Sequence, residues 1–194
     1  MNLRTFITKD EVKNLDLIRF EGDIEIIDTA DDLRELLLKL GREEYLGFDT
    51  ETKPSFTKGE YYAPAILQLS TLEAAYLIRL KKTGFTNALI DFLEDGSIKK
   101  IGISIRDDLK DMQKVRTFNP GGFIDLNVIA DRLGIRQIGV KSLTGIFLEK
   151  RVSKSQQTSN WENQDLTPAQ QNYAATDAWI CLHMYITLQF RGYV

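Results

Sequence analysis

The segment LGFDTET (46–52) places two carboxylates directly after a short apolar run. If the segment is a strand, Asp49 and Glu51 point to the same face because they are two residues apart. Ionised carboxylates are rarely buried without a partner, since desolvating them is costly. Two adjacent oxygen ligands suit Mg²⁺ or Mn²⁺. The pair therefore predicts a divalent-cation site, with a solvated strand face as the alternative.

A second Asp-x-Glu pair, Asp23 and Glu25, has the same spacing. Here the flanking Ile24 and Ile26 alternate with the acids, which is typical of an edge strand with one face in water. We therefore expect Asp23 and Glu25 to be solvated and without a catalytic role.

The segment NYAATDAW (172–179) places Tyr173 four residues before Asp177. On a helix this spacing stacks the two side chains on one face. A partly exposed Tyr–Asp pair with no function is the alternative. Tyr45 and Asp49 have the same spacing, but on a strand their Cα atoms would lie roughly 13 Å apart. The strand pair therefore cannot act on one water molecule.

Two further acids, Asp107 and Asp108, begin a predicted helix directly after a predicted strand. Acids at a helix N-terminus are favourable by about 0.3–1 kcal/mol. This effect alone would account for one of the two acids. It does not indicate whether Asp107 or Asp108 faces a site.

Composition favours one ordinary globular domain. The chain has 194 residues, of which 43% are hydrophobic and 27% charged, and its net charge is −3. This charge neither indicates nor excludes a nucleic-acid partner. The single cysteine, Cys181, permits no intramolecular disulfide and is expected in the core. With one histidine, His183, Cys/His zinc sites are also excluded, and we expect that histidine to be structural.

The N-terminus lacks the apolar core of a signal peptide, and no run of residues approaches the length of a membrane span. The absence of disulfides favours the cytoplasm. We expect residues 1–22 to be a lead segment that packs on one domain, residues 23–194.

Hydrophobic periodicity predicts a cluster of strands followed by alternating helices and strands, which favours an α/β fold with a mixed sheet and helices on both faces. The predicted strands are 24–28, 45–51, 65–71, 74–80, 99–104 and 121–126, with the second, third and fourth forming a meander. The predicted helices are 29–42, 86–96, 106–115, 127–134, 139–150 and 167–191, the last with a capping box at Thr167 and Gln170.

Taken together, the three acidic segments resemble the DEDD superfamily of 3′–5′ exonucleases. GFDTE (47–51) resembles the first motif, and NYAATDAW the third, in its tyrosine (DEDDy) subclass. IGISIRDDLKDM (101–112) resembles the second motif and selects Asp108 over its neighbours. The nearest branch includes ribonuclease D and the Werner syndrome-type exonuclease domain. Supporting segments are AILQLS (65–70), KSLTGIFL (141–148) and SNWENQDLTPAQ (159–170).

The resemblance implies a ribonuclease H-like fold and hydrolysis from the 3′ end of DNA or RNA to nucleoside 5′-monophosphates. It implies two Mg²⁺ or Mn²⁺ ions held by Asp49, Glu51, Asp108 and Asp177, with Asp49 shared between them. Tyr173 would orient or help to deprotonate the attacking water. These five residues are the expected catalytic set. The resemblance does not determine whether the substrate is DNA or RNA, whether it is single-stranded or duplex, or what the oligomeric state is.

Residues after the first motif are candidate substrate contacts: Thr50, Lys53, Phe56 and Lys58. Cations could contact phosphates and an aromatic ring could stack on a base. A solvated hairpin with one buried phenylalanine is the alternative.

The polar stretch 152–165 is long enough to suggest a functional loop. Arg151, Lys154 and Trp161 could contact substrate or be structural, and for Trp161 packing is the expected role. Two alternatives to an exonuclease stay open: a catalytically silent nucleic-acid-binding module on the same fold, and an unrelated α/β protein with scattered surface acids.

Overall fold

The computed structural model describes residues 3–57 and 59–194. The described chain contains six strands and eight helices, and three consecutive strands separate the first two helices from the others. The strands are β1 (Asp23–Ile27), β2 (Tyr45–Thr52), β3 (Pro64–Ser70), β4 (Ala74–Arg79), β5 (Lys99–Gly102) and β6 (Phe123–Asp125). The helices are α1 (Lys9–Asn14), α2 (Ala30–Leu40), α3 (Leu80–Thr83), α4 (Asn87–Glu94), α5 (Ile105–Val115), α6 (Leu126–Arg132), α7 (Val140–Leu148) and α8 (Pro168–Phe190). None of the helices described is long and apolar enough to cross a bilayer.

The six strands form one mixed sheet in the order β1-β4-β3-β2-β5-β6. Strands β2, β3 and β4 form the predicted antiparallel meander, and the other three pairings are parallel. All residues of β3 are buried, as expected for a strand covered on both faces. The predicted α/β class with a mixed sheet is confirmed.

Helices cover both faces of the sheet. One apolar cluster joins α2, α4 and α5 to one face, and includes Leu33, Phe48 and Met112. The other joins α6, α7 and α8 to the opposite face, and includes Ile101, Leu143 and Met184. Alternate residues of β2 therefore face different helical layers, because successive side chains of a strand point in opposite directions.

Helix α8 lies directly against β2 on the face that carries Asp49. A Cβ atom at Gly47 would lie 2.1 Å from the backbone oxygen of Ala178, so no larger residue fits at that position. The helix begins with the predicted capping box, in which Thr167 and Gln170 bond each other's backbone N–H groups. This close packing brings the C-terminal helix to the middle of the sheet.

Several element boundaries differ from the sequence-based prediction, and two short helices were missed. The predicted strand 99–104 ends at Gly102, because Ser104 adopts a left-handed conformation (φ 61°) before α5. Helices α1 and α3, of six and four residues, are too short to show clear periodicity.

Candidate active site

Three carboxylates from two distant segments meet beside the centre of the sheet. Asp49 and Glu51 project from β2, and Asp177 projects from the facing side of α8. One oxygen of each lies within 4.8 Å of the others. The close approach of α8 at Gly47 makes this convergence possible.

The electrostatics of the cluster are unfavourable without a counter-ion. Burial, followed by the charges of Asp49 and Asp177, raises the pKa of Glu51 to about 10. Burial, followed by the charges of Asp177 and Asp108, raises the pKa of Asp49 well above its usual range. Bound protons or cations would therefore stabilise these acids at neutral pH.

Unpaired polar atoms near the cluster are consistent with a bound cation. Asp177 Oδ1 is buried and has no hydrogen-bond partner among the described residues. Gln68 pairs with Asp49 across the strands, is fully buried, and both its side-chain polar atoms lack a partner within the same part of the chain. Buried carboxylate oxygens without donors are suitable ligands for Mg²⁺ or Mn²⁺, so the residues fit such an ion.

One lysine partly balances the acids. The ammonium of Lys154 lies 2.7 Å from Asp177 Oδ2 and 3.1 Å from the hydroxyl of Tyr173. Burial alone would lower the pKa of Lys154, but the neighbouring carboxylates, led by Asp177, outweigh burial and raise it. The lysine therefore stays charged and contributes one positive charge against three carboxylates.

Tyr173 lies one helical turn before Asp177, as its spacing predicts. It is buried and its ring packs against Trp161, with 5.8 Å between the ring centroids. Burial, and then the charge of Asp177, raise the pKa of Tyr173 far above its usual range. The hydroxyl therefore keeps its proton at neutral pH and can orient a water molecule by hydrogen bonding.

Asp108 lies beside the three-carboxylate group and is linked to it through β2. The hydroxyl of Thr50, the residue between Asp49 and Glu51, donates a hydrogen bond to Asp108 Oδ1. Burial raises the pKa of Asp108 to about 6, although the Thr50 hydrogen bond opposes this. The sequence also makes Thr50 a candidate substrate contact, which stays a prediction; in the structure its hydroxyl is bonded to Asp108.

The neighbouring acids of α5 form ion pairs along the helix. Asp107 pairs with Lys110 at 3.3 Å and Asp111 with Lys114 at 2.6 Å, both one turn along the helix. Of these three acids, Asp108 is the one that accepts a hydrogen bond from Thr50, and its catalytic role stays a prediction.

The start of α5 is held by a carboxylate. Asp125 accepts hydrogen bonds from the backbone N–H groups of Ser104 and Ile105, at 3.2 and 3.1 Å. These bonds stabilise the left-handed turn at Ser104 and so set the direction of the helix that carries Asp108. Sequence reasoning did not identify Asp125, because its role depends on a contact with the turn after β5.

The remaining candidates lie in different surroundings. Lys53 lies over the ring of Tyr62, 4.3 Å from its centroid, and Phe56 is 86% exposed. Lys58 lies outside the described residues. Trp161 is fully buried, which confirms its packing role.

Three other residues named from the sequence, His183, Cys181 and Arg151, have structural surroundings. His183 packs against Trp179, with ring centroids 4.9 Å apart, and Cys181 is buried as expected. Arg151 donates to the backbone oxygen of Leu15 at 2.9 Å.

Asp49 and Asp177 line a cleft of about 520 Å³. Its walls include Lys154 and Gln157 from the loop before α8, and residues at the start of α7. The loop is held in place by Arg79, whose guanidinium bonds the backbone oxygens of Asn163 and Gln164. Lys154 was only an ambiguous candidate in the sequence, because nothing in its neighbours indicates that it reaches Asp177.

Comparison with known proteins places these features in a family. The sequence profile described as 3′-5′ exonuclease matches residues 24–191. The chain is 31% identical over 183 residues to the mouse bifunctional 3′-5′ exonuclease/ATP-dependent helicase WRN, covering 89% of this chain and 13% of that protein. It is 27% identical over 204 residues to an Arabidopsis thaliana 3′-5′ exonuclease, covering 94% of this chain and 69% of that protein.

Solved structures share the fold. The Nibbler EXO domain of Aedes aegypti superposes with a TM-score of 0.79 at 23% identity, covering 90% of this chain and 92% of that one. Escherichia coli RNase D, an exoribonuclease, gives 0.76 at 25% identity, covering 89% of this chain and 47% of that one.

Proposed function

Because the chain belongs to the 3′-5′ exonuclease family, within the DEDD superfamily, we propose that it hydrolyses nucleic acid from the 3′ end. The observation that carries the proposal is the meeting of Asp49, Glu51 and Asp177 beside the hydroxyl of Tyr173. The chain spans only 13% of the mouse relative and 69% of the plant relative, so activity and substrate are proposed for this chain on its own geometry.

The family is metal-dependent, and the acidic cluster is suited to divalent ions. Asp49, Glu51 and Asp177 would hold one ion, and Asp49 with Asp108 a second. Bound Mg²⁺ or Mn²⁺ would supply charge neutralisation at the phosphorus and a more acidic water. Two divalent ions would also balance the four carboxylates, whose repulsion is otherwise relieved only by protons and Lys154.

The side chains of the site have separable roles in the proposed reaction. The oxygen of water forms a bond to the phosphorus of the last phosphodiester, while the bond from phosphorus to the 3′ oxygen of the preceding nucleotide breaks. A nucleoside 5′-monophosphate leaves, and the shortened strand ends in a 3′ hydroxyl. The Tyr173 hydroxyl orients the water, and the Lys154 ammonium lies close enough to this region to stabilise phosphoryl charge.

The proposal is tested with matched DNA and RNA strands, each labelled at the 3′ or at the 5′ end, with and without Mn²⁺. We expect early release of labelled mononucleotide from 3′-labelled strands and a ladder of shortening products from 5′-labelled strands, both only with metal. Comparing DNA with RNA, and Mn²⁺ with Mg²⁺, identifies the preferred substrate and ion. Binding without cleavage would instead support a catalytically silent binding module.

A further inference from the structure

The cleft at the acids does not end at the start of α7. Lys141 and Ser142, in the first turn of this helix, also line a second groove of about 570 Å³ between α1 and α7. The two depressions therefore share a wall, and together they form one path from Asp49 to the N-terminal helix.

The second groove is positively charged although the chain as a whole is acidic. All of its charged lining residues are cations: Lys9, Lys13, Lys141 and Arg151. Lys13 pairs with Asp10 at 2.9 Å, but both side chains are largely exposed, so this pair is weak. A concentration of cations in a chain with a net charge of −3 favours binding of a polyanion.

The shared wall contains further donors that suit phosphate. Helix α7 begins after Gly139 without a side-chain cap, and its first turn faces the cleft. Lys141 is exposed and has no hydrogen-bond or ion-pair partner among the residues described. The free N–H groups and the helix dipole favour an anion at this point, and Lys141 adds a full charge.

The N-terminal segment is firmly attached to the domain. Gln137 accepts a hydrogen bond from the backbone of Ile7 and donates one back, at 2.6 and 2.8 Å. At Gly145, in α7, a Cβ atom would lie 2.9 Å from Ile7 and 3.4 Å from Val12, so the helices approach closely. Lys9 and Lys13 are therefore held in a defined place.

Building on the proposed exonuclease function, we propose that Lys9, Lys13, Lys141 and Arg151 bind the sugar–phosphate backbone of the strand upstream of its 3′ end. The strand leaves the carboxylates past the first turn of α7 and then follows the groove against α1. The apolar floor of the groove, which includes Ile7 and Val152, supports the strand without sequence preference. We call the surface formed by Lys9, Lys13, Lys141 and Arg151 the track. The matched exonuclease profile begins at residue 24, so part of the track belongs to a segment outside the profile.

The test compares Lys9→Ala/Lys13→Ala with a control of equal charge change, Arg34→Ala/Arg42→Ala. The control cations are exposed, and Arg34 belongs to α2 on the opposite side of the sheet. Fluorescent single strands of DNA and of RNA are bound in EDTA over a range of salt concentrations. Each lost phosphate contact lowers the salt slope of single-strand binding by about 0.7, so the double variant should lose about 1.4.

The second readout is strand-length dependence of turnover in Mn²⁺. We expect the ratio of kcat/KM for a strand of about twelve nucleotides to that for a trinucleotide to fall by about tenfold in the lysine variant. The control should keep the wild-type ratio, and unchanged unfolding midpoints would exclude a folding defect. Loss confined to DNA or to RNA would identify the strand that the track prefers.

The outcomes separate this proposal from the proposed activity. The lysine variant could cleave like the wild type and keep the wild-type salt slope and strand-length ratio. This result would overturn the proposed track and leave the proposed exonuclease activity standing. Lysine-dependent strand binding without any cleavage would support the track and overturn the activity. An equal loss in the Arg34/Arg42 control would show only a general charge effect and would also overturn the track.

Discussion

Strands β1 and β2 both carry an Asp-x-Glu pair, but the two pairs lie in opposite surroundings. Asp23 and Glu25 are exposed on β1, which is an edge strand bonded only to β4. Asp49 and Glu51 lie on β2, which has neighbours on both sides, and α8 covers their face. Identical spacing therefore gives solvated acids on β1 and a cluster of mutually repelling carboxylates on β2.

Spacing alone therefore does not create a cation site. A carboxylate pair can form a cation site when the sheet buries the pair and a third acid approaches from another element. Tyrosine–aspartate spacing shows the same rule. Tyr173 and Asp177 share one face of a helix, whereas Tyr45 packs against Tyr185, with 5.4 Å between ring centroids.

The largest expected effect follows from removing the first acid of each pair. We expect Asp49→Ala to lower the rate of mononucleotide release by at least about a thousandfold, because the cluster loses a residue that the ions would share. Asp23→Ala should stay close to the wild-type rate. The measurement is the initial rate on a 3′-labelled strand in Mn²⁺, and near-full activity of Asp49→Ala would end the assignment.

Tyrosine substitution tests the helical pair against the strand pair. Tyr173→Phe should slow turnover by about a hundredfold while strand binding is kept, because only the hydroxyl that orients water is removed. Tyr45→Phe is the matched control and should leave turnover unchanged. Single-turnover rates separate the chemical step from binding, and equal rates for wild type and Tyr173→Phe would assign water orientation to another group.

The ionisation of Glu51 should make the stability of the folded protein depend on pH. The pKa of Glu51 is raised in the folded protein from 4.5 to about 10, so its stabilising contribution is present below pH 4.5 and is lost as pH rises through that interval. We expect the free energy of unfolding in EDTA to fall over this range, and Mn²⁺ to flatten the curve because it favours the ionised acids.

A glutamine variant tests whether Glu51 causes that slope. Glu51→Gln should reduce the loss of stability with pH, since glutamine cannot ionise. Urea unfolding in EDTA at several pH values measures the effect. A wild-type curve without slope, or the same slope in Glu51→Gln, would contradict the electrostatic account.

The smallest expected effect concerns the link from β2 to Asp108. Thr50→Val removes one hydrogen bond to this carboxylate, worth about 1 kcal/mol, and should raise the Mn²⁺ concentration needed for half-maximal rate a few-fold. Thr52→Val, on the same strand, is the control. An unchanged Mn²⁺ requirement would show that Thr50 does not position Asp108.

Local sequence was sufficient to predict the fold class, the six strands and the longer helices, and to single out the acids. Apolar periodicity, the capping box of α8 and the meander are local properties, because they depend on neighbours a few residues apart. The DEDD motifs likewise named Asp49, Glu51, Asp108, Tyr173 and Asp177 before any contact was known. The assignment to the exonuclease family is confirmed by the profile match, whereas the catalytic roles of these residues stay a prediction.

Which side chains meet depends on tertiary contacts. Lys154 reaches Asp177, Thr50 bonds Asp108, and Asp125 holds the turn before α5 only because distant segments pack together. The cationic groove likewise requires α1 to lie against α7. Such contacts depend on the close approach of whole elements, at Gly47 and Gly145, and periodicity within one segment carries no information about the partner that another segment will bring.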